Sequence, residues 1–184
     1  MSHNAFPVAG ALLVAPLAAL LLAATPADAQ QQRSQGPQRL GAHGAWTAAT
    51  HEENGQKVCY AFTRAARSEG APGNRGAVTL TVTHRVNGRD QVAVSVGYPL
   101  PRQAEAVMTV GTQEYRSYGV VQTNAFFQNG AQLIAAFRNG REAVTRSPGP
   151  PGRGAVTDTF PLNGFSAAYD AISRECPAQA RPAR

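Results

Sequence analysis

Residues 78–96 read VTLTVTHRVNGRDQVAVSV, and the alternation inside this stretch decides the fold class. Val78, Leu80 and Val82 alternate with Thr79, Thr81 and Thr83, and Val92, Val94 and Val96 repeat the pattern after a short break. A period of two is a strand period, because successive side chains point to opposite faces. Asn87-Gly88 stands in the break. Both residues tolerate positive φ, which predicts a hairpin turn there. The hairpin then presents a valine face that another layer must cover.

The same reading extends in both directions. Val58, Tyr60 and Phe62 alternate with Cys59, Ala61 and Thr63, a strand with its larger apolar groups on one face. Tyr98-Pro99-Leu100-Pro101 stops the strand that ends at Val96. Segments 107–110 and 113–118 flank Gly111-Thr112, the expected turn of a second hairpin, and 156–162 is a further extended segment. Two stretches change period. Leu133, Ile134 and Phe137 lie on one helical face within 131–138, with Asn139-Gly140 as the stop. Phe165, Ala168, Tyr169 and Ile172 lie on one side of a second helix, Cys176 falls a turn further along that side, and Pro177 ends it. Between them, residues 147–154 (SPGPPGRG) read as a loop. The expected fold is mainly β: an antiparallel β-sandwich with two short helices.

The N-terminus reads as an export signal. Residues 10–24 (GALLVAPLAALLLAA) carry no charge, and Ala27-Asp28-Ala29 supplies the small-x-small pattern for cleavage after Ala29. The apolar run is shorter than the roughly 20 residues a membrane span needs, and it contains Pro16. No stable transmembrane segment is therefore expected once the signal is removed. The chain divides into a signal peptide at 1–29, a flexible Gln-rich leader at 30–42, one β-rich domain at 43–177 and a disordered tail at 178–184.

Cys59 and Cys176 are the two cysteines of the chain. Two cysteines in an exported chain most often pair, and the C-terminal helix aims Cys176 toward the body of the domain. A disulfide tying that helix to the early strand is the expected arrangement, against the alternative of two buried free thiols. Closing a loop of this length is worth about 5 kcal/mol in the chain-entropy picture.

The formal charge is +6, and loss of Asp28 with the signal raises it to +7. Lys57 is the single lysine among 17 basic residues; the others are arginines scattered along the chain. No stretch interleaves them with aromatics, so nucleic-acid binding is not expected. An unknown protein or an anionic cell surface is the expected class of partner.

In this order the residues resemble a known family. The Cys59-Tyr60-Ala61 start, the Gly97-Tyr98-Pro99-Leu100 corner, the helix from Leu133 to Gly140 and the block from Asp158 to Cys176 are similar to the invasion-associated locus B family of alphaproteobacteria. The resemblance runs from Trp46 to Cys176. It implies an exported protein of the periplasm or cell envelope, or a secreted one, associated in pathogens with host-cell invasion. Phe126-Phe127 stands where the family often has Ala-Trp, and Phe160-Pro161-Leu162 replaces Tyr-Ser-Leu, both read as packing changes.

No catalytic, cofactor-binding or metal-ligating residue is assigned. His43, His51 and His84 are the histidines after the signal, and none stands in a nucleophile motif. Ser166 lacks the Gly-x-Ser-x-Gly elbow and belongs to the first turn of a helix. Glu52-Glu53 are adjacent and point apart, and His51 with Glu53 offers two metal ligands, too few for a site. The glycine-rich segments 70–76 and 149–154 lack the Gly-Lys-Ser/Thr ending of a phosphate loop. Arg141, Arg146 and Arg153 bracket the 147–154 loop and are the candidate surface-contact residues. The leading expectation is a non-enzymatic envelope protein acting by contact, in host-cell invasion or envelope maintenance. One alternative is a periplasmic enzyme, which needs a deep cleft holding His84 or His51 beside a carboxylate. Another is a small-ligand carrier with a cavity between the sheets.

Overall fold

The computed structural model describes residues 36–178. The signal peptide expected at 1–29 lies outside them, as does the tail beyond Ala178. Eleven strands and two helices follow in the order β1 (Gln38–His43), β2 (Trp46–Glu53), β3 (Gln56–Arg64), β4 (Arg67–Glu69), β5 (Thr79–Arg85), β6 (Gly88–Ser95), β7 (Val107–Val110), β8 (Gln113–Val121), β9 (Asn124–Phe127), α1 (Gly130–Asn139), β10 (Glu142–Pro148), β11 (Ala155–Pro161) and α2 (Phe165–Glu175). All pairings are antiparallel, in the spatial order β1-β2-β3-β5-β6-β9-β8-β7-β10-β11-β4.

The two expected layers are joined into one continuous ladder. Strand β8 makes the first corner, pairing with β7 through residues 113–116 and with β9 through residues 117–121. The chain makes the second by running from β3 through Ala65-Ala66 into β4, where the Ala66 N–H donates to Thr159 O at 2.8 Å. Leu80, Val82, Val92 and Val94 from one half join Met108, Ala143, Val156 and Phe160 from the other in a single apolar cluster.

Inward-facing residues on β3 are Cys59, Ala61 and Thr63, whereas the larger Tyr60 and Phe62 are half-buried on the opposite face with ring centroids 5.9 Å apart. The small residues face inward because α2 packs over β1, β2 and β3, and bulk there would hold the helix away. Phe165 at the start of α2 meets Trp46 at 4.9 Å and Phe137 of α1 at 5.2 Å, edge to face in both cases. The entry to α2 admits only glycine: Gly164 has φ 88°, and a Cβ there would lie 1.9 Å from His43 O.

Several expectations need correction. Residues 38–42, read as part of the flexible leader, belong to β1, which hydrogen-bonds to β2. The β5–β6 turn is at Val86-Asn87, because Arg85 pairs with Gly88; positive φ occurs later, at Asp90 (56°). Two residues of β6, Arg89 and Asp90, there oppose the single residue His84, which is a β-bulge. Ser147 and Pro148 extend β10 into the segment read as loop, and Gly149 N–H closes the true loop by donating to Gly154 O at 3.0 Å. The second hairpin turns at Gly111-Thr112 as expected, and both helices bury the predicted residues, except that Tyr169 stays half-exposed. The S–S bond joins Cys59 to Cys176 across a sequence separation of 117.

Candidate functional site

Side chains able to do chemistry meet where α2 crosses β5 and β6. His84 is fully buried on β5, and its Nε2 lies 3.1 Å from Ser173 Oγ on α2. The bulge brings Asp90 to the other ring nitrogen, with Oδ1 3.7 Å from His84 Nδ1. Ser173, His84 and Asp90 thus resemble a serine-hydrolase grouping in composition.

The hydrogen bonds orient it the wrong way for that chemistry. The Asp90 backbone N–H points at His84 Nδ1 at 3.3 Å, and an N–H can only donate. Nδ1 is therefore the acceptor and Nε2 carries the proton, which it donates to Ser173 Oγ. A general base needs the reverse, an unprotonated Nε2 that takes the serine proton. Asp90 Oδ1 is beyond hydrogen-bond range of the ring and instead accepts from Tyr169 Oη at 2.7 Å. Burial, reinforced by the nearby Arg89 charge, lowers the His84 pKa to about 4. Arg89 also donates to Ser173 Oγ at 3.3 Å and to the Cys176 carbonyl oxygen. The cluster fastens α2 to the sheet beside the disulfide.

His51 lies on a cleft of about 240 Å³ whose wall includes Thr50, Glu52 and Lys57. Its Nε2 sits 3.0 Å from Glu53 Oε1, and Arg85 clamps the same carboxylate with bonds of 2.9 and 3.0 Å. The Arg85 hydrogen bond holds the Glu53 carboxyl below the usual range. The hydroxyl in this cleft, Thr50 Oγ1, already donates to Val58 O at 2.9 Å. Lys57 reaches Glu175 at 2.5 Å, a further tie to α2.

Sequence reasoning gave no role to Arg75, which forms a buried ion pair with Asp158 on β11. Asp158 is 0% exposed and faces inward between Thr145 and Ser68. Arg75 Nη1 donates to Asp158 Oδ2 at 3.1 Å and to Val96 O at 3.3 Å, and Ser68 Oγ donates to Asp158 Oδ1 at 2.6 Å. No spacing rule connects positions 75 and 158; the β4–β11 ladder sets Ser68 opposite Asp158, and the segment after β4, held by Gly76 N–H donating to Gly97 O at 2.8 Å, brings Arg75 to the same carboxylate.

The three candidate contact arginines are all exposed, but they do not form one cluster. Arg153 is on the β10–β11 turn and Arg146 on the neighbouring stretch of β10. Arg141 precedes the other end of β10, roughly 17 Å from Arg146 along the strand, and its carbonyl accepts from Leu162 N–H at 3.0 Å. Arg141 therefore does not flank the loop. Among the described residues, no group of three or more His, Cys, Asp or Glu is placed to hold a metal ion, and no helix is long and apolar enough to cross a membrane.

Residues 46–173 match the family model described as invasion associated locus B protein. The chain is also similar to the crystal structure of invasion associated protein B from Bartonella henselae, at 20% identity over 73% of this chain and 95% of that one, with a TM-score of 0.49. No curated protein matches the sequence.

Proposed function

The chain belongs to the invasion associated locus B family, and from that membership we propose that it is an exported protein of the bacterial periplasm or envelope that works by contact with an acidic partner rather than by catalysis. Its disulfide suits an oxidising compartment. The observation that carries the contact reading is the exposure of Arg146 and Arg153, neither of which has an ion-pair partner among the described residues. Charges left unpaired at a hairpin end are available to an acidic glycan, an anionic lipid or an acidic protein. The protonation pattern at His84 supports a structural rather than a catalytic role for the Ser173–His84–Asp90 grouping. Host-cell invasion or envelope maintenance are the roles that such contact would serve.

The test replaces Arg146 and Arg153 together by Gln and measures retention on heparin and on vesicles rich in phosphatidylglycerol. Two basic residues near an anionic surface contribute about 1 kcal/mol each, so binding should weaken at least about tenfold and depend steeply on salt. Binding equal to the parent on both surfaces would remove this hairpin from the contact.

A further inference from the structure

A groove of about 1230 Å³ runs between α1 and the β7–β8 hairpin. One wall is a helical stripe, Gln132, Ala135, Ala136 and Asn139, at the i, i+3, i+4, i+7 spacing of a single helix face. The other wall is the first half of β8 with the Gly111-Thr112 turn. The floor is closed where Gly140 packs on Val110 and Leu162, since a Cβ on Gly140 would come within 2.8 Å of Val110 Cγ1 and 2.9 Å of Leu162 Cδ1. The helix is pinned at its start as well: a Cβ on Gly130 would lie 1.9 Å from Asp90 O. The groove is thus built between two fixed elements.

Its lining is rich in carboxamides: Gln113, Gln128, Asn129, Gln132 and Asn139. Among the described residues their hydrogen-bonding capacity is largely unspent. Gln113 Oε1 accepts from Tyr115 Oη at 2.6 Å, which leaves the Gln113 amide donors free, and Asn139 Nδ2 donates to Ala135 O at 2.9 Å, which leaves the Asn139 oxygen free. Asn129 is at the helix N-cap, where an Asn side chain ordinarily accepts a backbone N–H, yet it makes no capping bond. A side chain withheld from its usual local partner is available to an outside one.

The chemistry of the lining excludes most ligand classes. Phosphates and acidic glycans need unpaired cations, but the groove's Arg116 is paired with Glu105, and Glu114 adds negative charge. An amphipathic helix needs apolar anchors, and the α1 stripe offers only alanines. An extended peptide adds to an open strand edge, and β8 offers it only the short run 113–116, because residues 117–121 are taken up by β9. Carboxamides donate and accept together, as sugar hydroxyls do. The groove also exceeds the roughly 300–1,000 Å³ of ordinary small-molecule pockets, which suits a chain rather than a single ring. We infer that this groove binds an uncharged oligosaccharide through the Gln113, Gln132 and Asn139 side chains.

The site is separate from the arginine hairpin, and the test keeps the two apart. The protein, processed and oxidised in the periplasm of an expression host, is titrated with chitohexaose and with cellohexaose while amide resonances are followed by NMR. Shifts should be confined to α1 and the β7–β8 hairpin and should saturate equally at low and high salt, because no ion pair forms. Replacing Gln132 and Asn139 together by Ala removes about two hydrogen bonds and should weaken binding roughly tenfold. The Arg146 and Arg153 substitutions should leave it unchanged. Both exchanged residues are exposed, and an unchanged melting temperature checks that the variant stays folded. The proposal is overturned if neither sugar shifts the groove resonances at millimolar concentration, if the double variant binds as well as the parent, or if binding disappears with salt.

Discussion

Cys59 on β3 and His84 on β5 stand directly opposite each other in the ladder, and each reaches the last turns of α2. Cys59 does so through its bond to Cys176, and His84 through Ser173. Ser173 and Cys176 are three positions apart, so both ties land on neighbouring points of one helix side. Arg89 spans the two by donating to Ser173 Oγ and to the Cys176 carbonyl oxygen. The helix is held by a covalent bond and, beside it, by a hydrogen-bonded cluster that depends on a neutral histidine.

Removing the covalent tie should destabilise the fold without unravelling it. A bond spanning a sequence separation of 117 restricts the unfolded chain by about 4–5 kcal/mol in the entropy model. For a domain of this size that corresponds to a fall in melting temperature of about 10–20 °C. Calorimetry of the variant with both Cys59 and Cys176 replaced by Ser measures it. A fall of only a few degrees would show that the His84 cluster and Lys57–Glu175 hold the helix almost unaided.

Acid should loosen the same region through His84. The ring titrates near 6.5 when unfolded and near about 4 in the fold, because burial disfavours its charged form. The folded state therefore binds this proton less well, so the contribution is whole above about pH 6.5 and is lost as pH falls toward 4. The gap corresponds to about 3 kcal/mol. Urea unfolding of the parent and of His84→Gln at pH 7 and pH 4.5 isolates it: the parent should lose more stability between the two pH values than the variant. Equal losses would mean that His84 is not the group responsible.

Ser173 offers a chemical check on the direction of the His84–Ser173 hydrogen bond. With the proton on Nε2, the serine is not activated, and a fluorophosphonate probe should leave it unlabelled in the folded protein. Ser173→Ala should instead act on stability, by about 1–3 kcal/mol, because it leaves a buried ring N–H without its acceptor. Stoichiometric labelling at Ser173, seen by mass spectrometry, would restore the enzyme reading.

How far these features can be read from the chain depends on whether local pattern or long-range pairing creates them. The alternation through Leu80, Val82, Val92 and Val94 is local, and the core uses those residues as the period predicts. The same holds for Phe165, Ala168 and Ile172 on α2. On β3 the period was legible, but the inward face was not, because the demand for small Cys59 and Ala61 comes from a helix a hundred residues later. Strands β4 and β9 are too short, at 3 and 4 residues, to carry a period of their own. The His84 cluster depends on a bulge whose one sign in the sequence is an Asp that tolerates positive φ. The α1 groove draws its walls from separate segments, so its amides never appear as a motif.

The Arg75–Asp158 pair makes the most local prediction. Its arginine joins the segment between β4 and β5 to β11 and to the Val96 carbonyl, and both side chains are nearly sealed, at 8% and 0% exposure. Removing one partner leaves a buried charge uncompensated, which typically costs about 3–5 kcal/mol. Arg75→Met should therefore be severely destabilising, with faster hydrogen exchange through residues 65–78. Replacing both residues, Arg75→Met with Asp158→Leu, removes the charges together and should be milder than either change alone, a coupling that a double-mutant cycle reads directly. If the two single losses simply add in the double variant, the pair is not the element that fastens this segment.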